Sequence, residues 1–292
     1  MTFAIQNKAM LVNLSVSVFN GVKVDKKVSE EVAKNANSDL HDSGKYDKYI
    51  ISKSAIAPIK TAESAIRALH ASLTLPWNDN GERLLGGEAY FDYMNKMKPL
   101  RDKFFEEVEF FIDLYPDHIE AAKKRLNGMF NPDDYPPVAE LRERFGCTVR
   151  VLPVPSTNNW LVDAINEDMA ALRTDADQAI EERLNAAMGD IYKRIGKVTK
   201  CMVDGLERYA VDPETGKTER TFRDSLVENV RELVSQLPSL NITQDSAISK
   251  LVSDMDAKLC KFDADALRYD PDLRKQTADA AKEIYDHCSM FM

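Results

Sequence analysis

The sequence predicts a mainly α protein: a helical N-terminal unit with a small two-stranded antiparallel ribbon, then a long helical hairpin or coiled-coil-like half. Three observations predict it. From Asp163 to Tyr209 the chain holds no proline, and apolar or small residues recur from Ile165 through Met169, Leu172, Ile180 and Ile191 to Met202 and Gly205. Their mean step of about 3.7 residues is the spacing of one helix face. Only two segments alternate with a period of two. Charged residues make up 30% of the chain and glycines number only 11, a composition that leans towards helix.

The first alternating segment is LVNLSVSVF, Leu11 to Phe19, where Val12, Leu14, Val16 and Val18 interleave with Asn13, Ser15 and Ser17. That pattern is a half-buried strand. Asn20-Gly21 is a turn signal, and Val24, Val28 and Val32 then fall at helical spacing. A helix is expected through Ile50–Leu75, with Ile56, Ile59, Ala62, Ile66, Leu69 and Leu73 on one face, a break or kink near Pro58, and Pro76 past its end. A second is expected over Ala89–Tyr115, striped by Met97, Leu100, Phe104, Val108 and Phe111, with a kink or boundary at Pro99. Short helices follow Pro116 and Pro137. CTVRVLPVP, from Cys147, alternates again. A lone pair of strands needs a covering helix, so 147–154 is expected to pair with 11–19 and close a unit over 1–160.

The second unit, 161–292, carries the proline-free run. Unbroken, it would be about 70 Å long at 1.5 Å per residue, which suggests a coiled coil or arm. Gly189, Gly196 and Gly205 oppose this, each costing about 1 kcal/mol against alanine. Asp212–Thr218 reads as a turn. Phe222, Leu226, Val230, Leu233 and Leu237 line a returning helix that Pro238 stops. Ile248, Leu251, Met255 and Leu259 line another, with Thr243 as its N-cap. A last helix begins near Pro271.

Composition limits function. The net charge is −9, which disfavours nonspecific duplex binding, since phosphate binding needs clustered Lys and Arg. Cys147, Cys201, Cys260 and Cys288 show no CxxC spacing, so free thiols are expected rather than zinc or a redox pair. The N-terminus lacks a signal-peptide pattern and no run reaches the ~18 apolar residues of a membrane span. A soluble cytoplasmic protein without cofactor or metal is the expectation.

Motifs that suggest chemistry fail on context. Gly216-Lys217-Thr218 has the end of a phosphate-binding loop, but Val211 stands where the first glycine belongs. Asn78–Glu82 has calcium-like residues at the wrong spacing. His287 and Cys288 are adjacent, about 100° apart on a helix, and do not face each other. Asp133 and Asp134, between prolines, are the only carboxylate pair that offers a hydrolase site. No catalytic residues are assigned, and a non-enzymatic role is expected.

Two groups remain as binding candidates. Trp77, Asp79 and Arg83 lie in LTLPWNDNGERLLGG, expected to be a corner between two helices, and Trp160 follows PSTNN. Trp and Arg dominate interface hot spots, so these four form a candidate partner-binding set. Arg83 is expected to pair with Asp79 or Glu82. Lys193, Arg194, Lys197 and Lys200 form a basic stripe, a candidate nucleic-acid contact without the interleaved aromatics of a stacking platform.

Four stretches, LVNLSVSVFNGVKVDKKVSEEV, LTLPWNDNGERLL, DDYPPVAELRERFGCTVRVLPVP and FRDSLVENVRELVSQLP, resemble in order and spacing a family of uncharacterised bacteriophage and mobile-element proteins. Its genes often lie beside a MoxR-type AAA+ ATPase and a von Willebrand A-domain protein, sometimes near recombination genes. The resemblance implies a phage or mobile-element origin and work with that ATPase. It brings no catalytic residues. The leading expectation is a scaffold or adaptor that forms a homo-oligomer, because the apolar stripe of the long helix is wider than one hairpin covers, and that engages a protein partner. The alternatives are a nucleic-acid accessory protein in recombination and an acidic inhibitor of a host defence enzyme.

Overall fold

The computed structural model describes residues 5–39, 42, 44–155, 167–209 and 222–291, with side chains from 174 onward in the fourth segment. The chain is mainly helical. It forms two compact units that interleave in sequence. One comprises Met1–Asn13, Ala71–Tyr93 and Arg150–Met292; the other comprises Leu14–His70 and Met94–Val149.

The expected two-stranded ribbon is half of a larger sheet. Strands β1 (Ala9–Ser17) and β6 (Gly146–Pro153) are neighbours, but β4 (Leu75–Pro76) and β5 (Glu82–Gly86) extend the order to β4-β5-β1-β6. A separate antiparallel pair joins β2 (Val22–Val24) to β3 (Asp47–Tyr49). The stretch expected to be a helix–helix corner is therefore a β-hairpin: Leu84 pairs with Leu75 on one side and Leu11 on the other. Its turn is closed by Asn78, whose Oδ1 accepts the Asn80 and Glu82 N–H groups while Nδ2 donates to Glu82 Oε2 at 2.7 Å. Gly81 supplies the positive φ of 81°.

Three prolines expected to break, kink or stop helices lie inside continuous ones. Helix α1 spans Lys26–Asn35 and α2 spans Lys53–Ser72; α2 contains Pro58, and α3 (Tyr90–Asp113) contains Pro99. Both prolines are solvent-facing, where water can satisfy the carbonyl each leaves unbonded. Pro238 lies inside the later helix Ser225–Leu240 rather than stopping it. The inward stripes match expectation, with Ile56, Ile59 and Ile66 of α2 and Met97, Phe104 and Val108 of α3 buried. Helices α4 (Tyr115–Leu126) and α5 (Val138–Glu143) follow.

The proline-free run is one helix, α6 (Glu167–Glu207), 41 residues long. It passes through all three glycines. Gly205 has a packing reason, since a Cβ there would meet Leu226 Cδ2 at 2.7 Å. Helices α7 (Ser225–Leu240), α8 (Ser246–Leu259), α9 (Ala264–Tyr269) and α10 (Pro271–Ser289) complete this unit. The N-cap of α8 is Asp245, not Thr243; its carboxylate accepts Ala247 N–H. The main neighbour of α6 is α10, with α7 beside it. The seam is more than one arm of a hairpin because α10 fills it: Ala187, Ile191, Ile195 and Met202 share a core with Leu237, Met255, Ala281 and Cys288. No helix among the described residues is long and apolar enough to cross a membrane.

Candidate functional site

Helix α2 ends at Ser72, and the last carbonyls of any helix need donors from outside it. Two arginines supply them. Arg194 on α6 donates through Nη1 to Ser72 O at 2.8 Å and through Nη2 to Ala71 O and Thr74 O at 2.9 and 2.6 Å. Arg83 on β5 donates through Nη2 to the same Ala71 and Thr74 carbonyls at 3.3 and 2.9 Å, and through Nε to Thr74 Oγ1 at 2.7 Å. Two guanidinium groups thus converge on two oxygens. One carboxylate accompanies them, Asp190, 2.7 Å from Arg194 Nε. Burial, followed by the neighbouring Arg194 cation, lowers the Arg83 pKa, with Asp190 acting against both. Arginine remains charged under such pressure, and the partial negative charge of a helix C-terminus helps to hold it.

The pair opens into a groove of about 520 Å³. One wall is α6, which contributes Asp190, Arg194, Lys197, Val198 and Cys201. Those positions recur at threes and fours and so share a helix face. The other wall is α7, with Leu226, Asn229, Glu232, Leu233 and Gln236. Ala71, Ser72 and Arg83 complete the lining. The walls differ in character: α6 presents a guanidinium paired to a carboxylate and an exposed ammonium group beside Val198 and Cys201, α7 presents amides, a carboxylate and leucines. Such a surface offers both apolar and charged contacts.

The structure brings together Arg83 from the partner set and Arg194 and Lys197 from the basic stripe. It separates the rest. Trp77 is 4% exposed and packs with Leu75 and Leu84 in the core, its Nε1 without a hydrogen-bond partner among the described residues. Its ring therefore anchors the hairpin from inside. Asp79 is exposed in the turn; it does not pair with Arg83, whose hydrogen bonds among the described residues run to Ala71 and Thr74. Trp160 and the Gly216–Thr218 triplet lie outside the described residues. Lys193 and Lys200 are exposed but do not line the groove, and Lys200 Nζ sits 5.9 Å from the Tyr285 ring centre. Asn229, Glu232 and Gln236 escaped sequence reasoning because they belong to the polar side of an amphipathic helix, which looks like any solvated face.

The other chemical candidates resolve into structure. In the second unit, Asp133 is exposed, whereas the Asp134 side chain is 8% exposed and its Oδ2 lies 2.7 Å from Lys48 Nζ. Lys48 also meets Asp25 Oδ2 at 3.2 Å and donates to Met129 O at 3.0 Å, while Lys23 meets Asp134 Oδ1 at 3.0 Å. Asp25 in turn caps α1 by accepting Val28 N–H. This network fixes loops to strands. Cys288 is buried, and that burial pushes its thiol up to about 11. It is not poised beside His287 as a nucleophile. Among the described residues no group of three or more His, Cys, Asp or Glu is placed to hold a metal ion.

Comparison with protein-family models, curated proteins and solved structures finds no match for this chain.

Proposed function

We propose that this chain is a non-enzymatic scaffold or adaptor that engages a protein partner through the α6–α7 groove. The observation that carries the reading is the Arg83–Arg194 pair: two partly buried guanidinium groups, held by main-chain carbonyls, lining an open groove with one carboxylate paired to them. Groups fixed on a strand and a long packed helix are pre-organised, and arginine is among the strongest interface anchors. Self-association narrows to the N-terminal turns of α6. From Ala187 to Leu206 its apolar face is filled by its own chain, whereas from Thr174 to Ala186 no residue is fully buried and only Ile180 and Leu184 pack against that core. The resemblance to phage and mobile-element proteins makes a MoxR-type AAA+ ATPase and a von Willebrand A-domain protein of the same genome the first partners to test. A nucleic-acid role has less support, because Asp190 and Glu232 line the same groove and no aromatic ring does. The test is surface-immobilised full chain exposed to each purified partner. Saturable binding weakened by Lys197→Glu supports the reading; no binding of either partner removes the ATPase connection.

A further inference from the structure

We propose that the groove accepts an acidic amphipathic helix of a partner protein, with a carboxylate against Arg83 and Lys197 and apolar side chains on Val198, Leu226 and Leu233. The inference rests on the adaptor reading above and specifies what the partner presents.

Charge gives the first argument. Five charged side chains line the groove: Arg83, Arg194 and Lys197 against Asp190 and Glu232. Arg194 and Asp190 satisfy each other. Arg83 and Lys197 then face Glu232 alone, an excess of cation inside a chain whose net charge is −9. The contacts of Arg83 are neutral carbonyls and a hydroxyl, and its Nη1 donates to no described residue. Lys197 is exposed and forms no ion pair among the described residues. A carboxylate brought here gains charge-assisted hydrogen bonds from a guanidinium already held in place.

Dimensions and lining give the second. The α6 wall runs from Asp190 to Cys201 and the α7 wall from Leu226 to Gln236, about three helical turns or 16 Å on each side. A segment lying between two helices with anchors at i, i+3 and i+4 is the helix-in-groove mode of recognition. Val198, Leu226 and Leu233 supply apolar contact for such anchors, and Asn229 and Gln236 supply adaptable donors and acceptors. A nucleic acid would meet Asp190 and Glu232 and find no aromatic ring in the lining for a base to stack on.

The test is selection of displayed helical peptides of random sequence against the full chain and against Lys197→Glu. Because Lys197 is exposed, the variant keeps its fold, which circular dichroism checks. The parent should enrich Asp or Glu beside apolar residues three or four positions away. Lys197→Glu should bind those peptides at least about tenfold more weakly and should select Lys or Arg instead. Peptides without acidic enrichment, a preference unmoved by Lys197→Glu, or no peptide at all would overturn the proposal. So would retention of single-stranded DNA that Lys197→Glu abolishes. A protein partner whose binding ignores Lys197→Glu sinks the acidic helix and leaves the adaptor reading standing; the lack of any protein partner sinks the adaptor reading itself.

Discussion

Replacing Lys48 with methionine should be among the most damaging single changes to the Leu14–His70 and Met94–Val149 unit. The Lys48 side chain is 7% exposed and lies within 3.2 Å of two carboxylates. Removing one partner of a buried ion pair costs about 3–5 kcal/mol, because the remaining charge is stranded. Two features place Lys48→Met at the lower end. Asp134 keeps Lys23, itself half exposed, and Asp25 keeps the Val28 N–H. A loss of about 3 kcal/mol lowers the melting temperature of a unit of about 100 residues by about 12 °C. Adding Asp134→Leu should return at least half of that, since replacing a buried pair with apolar groups is often neutral. Far-UV circular dichroism melts and amide exchange at β3 provide the assay. A single variant within 0.5 kcal/mol of the parent, or a double variant no better than the single, would refute the reasoning; the 0.5 figure is about the scatter of an ordinary surface substitution.

The same network sets a pH dependence. The Val28 N–H, then Lys48, hold the Asp25 carboxyl below its ordinary range. Burial pushes Asp134 up, but the contacts from Lys48 and Lys23 outweigh it and the net shift is down. Burial likewise pushes Lys48 down, and Asp134 and Asp25 outweigh it and raise it. Depressed carboxyls contribute stability that is complete above their unfolded value near 4 and is lost as pH falls through the lower folded value. A raised lysine contributes stability that is complete below about 10.4 and is lost as pH climbs through the higher folded value. Urea midpoints should fall at both extremes, and Lys48→Met should flatten both limbs.

Three further outcomes are expected. Arg194→Gln removes charged donors from the end of α2 and leaves Asp190 alone, costing about 2–3 kcal/mol; urea denaturation measures it, with faster amide exchange in the last turn of α2 as its signature. Gly189→Ala should stabilise by about 0.8 kcal/mol, because a Cβ there meets nothing within 4 Å and only the helix propensity changes; a thermal melt that falls would contradict this. Toward a disulfide reagent at pH 8, exposed Cys201 should react at least about a hundredfold faster than buried Cys147 and Cys288, whose thiols burial pushes up, as mass spectrometry of the labelled native chain can show.

What was legible in the sequence follows the range of the interaction. The alternation in Val12–Val18 and Val149–Val151 marked β1 and β6, and the proline-free seam marked α6, because each is a local pattern. The hairpin β4–β5 was not legible: β4 is two residues long and includes Pro76, too short for a period and carrying a residue that suggests a helix end. Pro238 misled as a stop, and Pro58 and Pro99 do not end their helices, for a related reason, since whether a proline ends a helix depends on whether water can reach the freed carbonyl. Within the groove, Arg194 and Lys197 were visible as a charged stripe and Arg83 as a member of the partner-binding set, expected to pair with Asp79 or Glu82. Their meeting spans more than a hundred residues and is set by packing. Lys48 carried no signal, although its partner Asp134 was noted, because a buried lysine looks like any other until the fold encloses it.

The measurement that bears most directly on the groove is photo-crosslinking inside the cell that carries the gene. A photoreactive residue is placed at position 197 or, as control, at the exposed Val24 of the other unit. A discrete protein adduct from position 197 that is absent from position 24 is the expected result. Adducts of the same protein from both positions, or none from position 197, would contradict a partner held between α6 and α7.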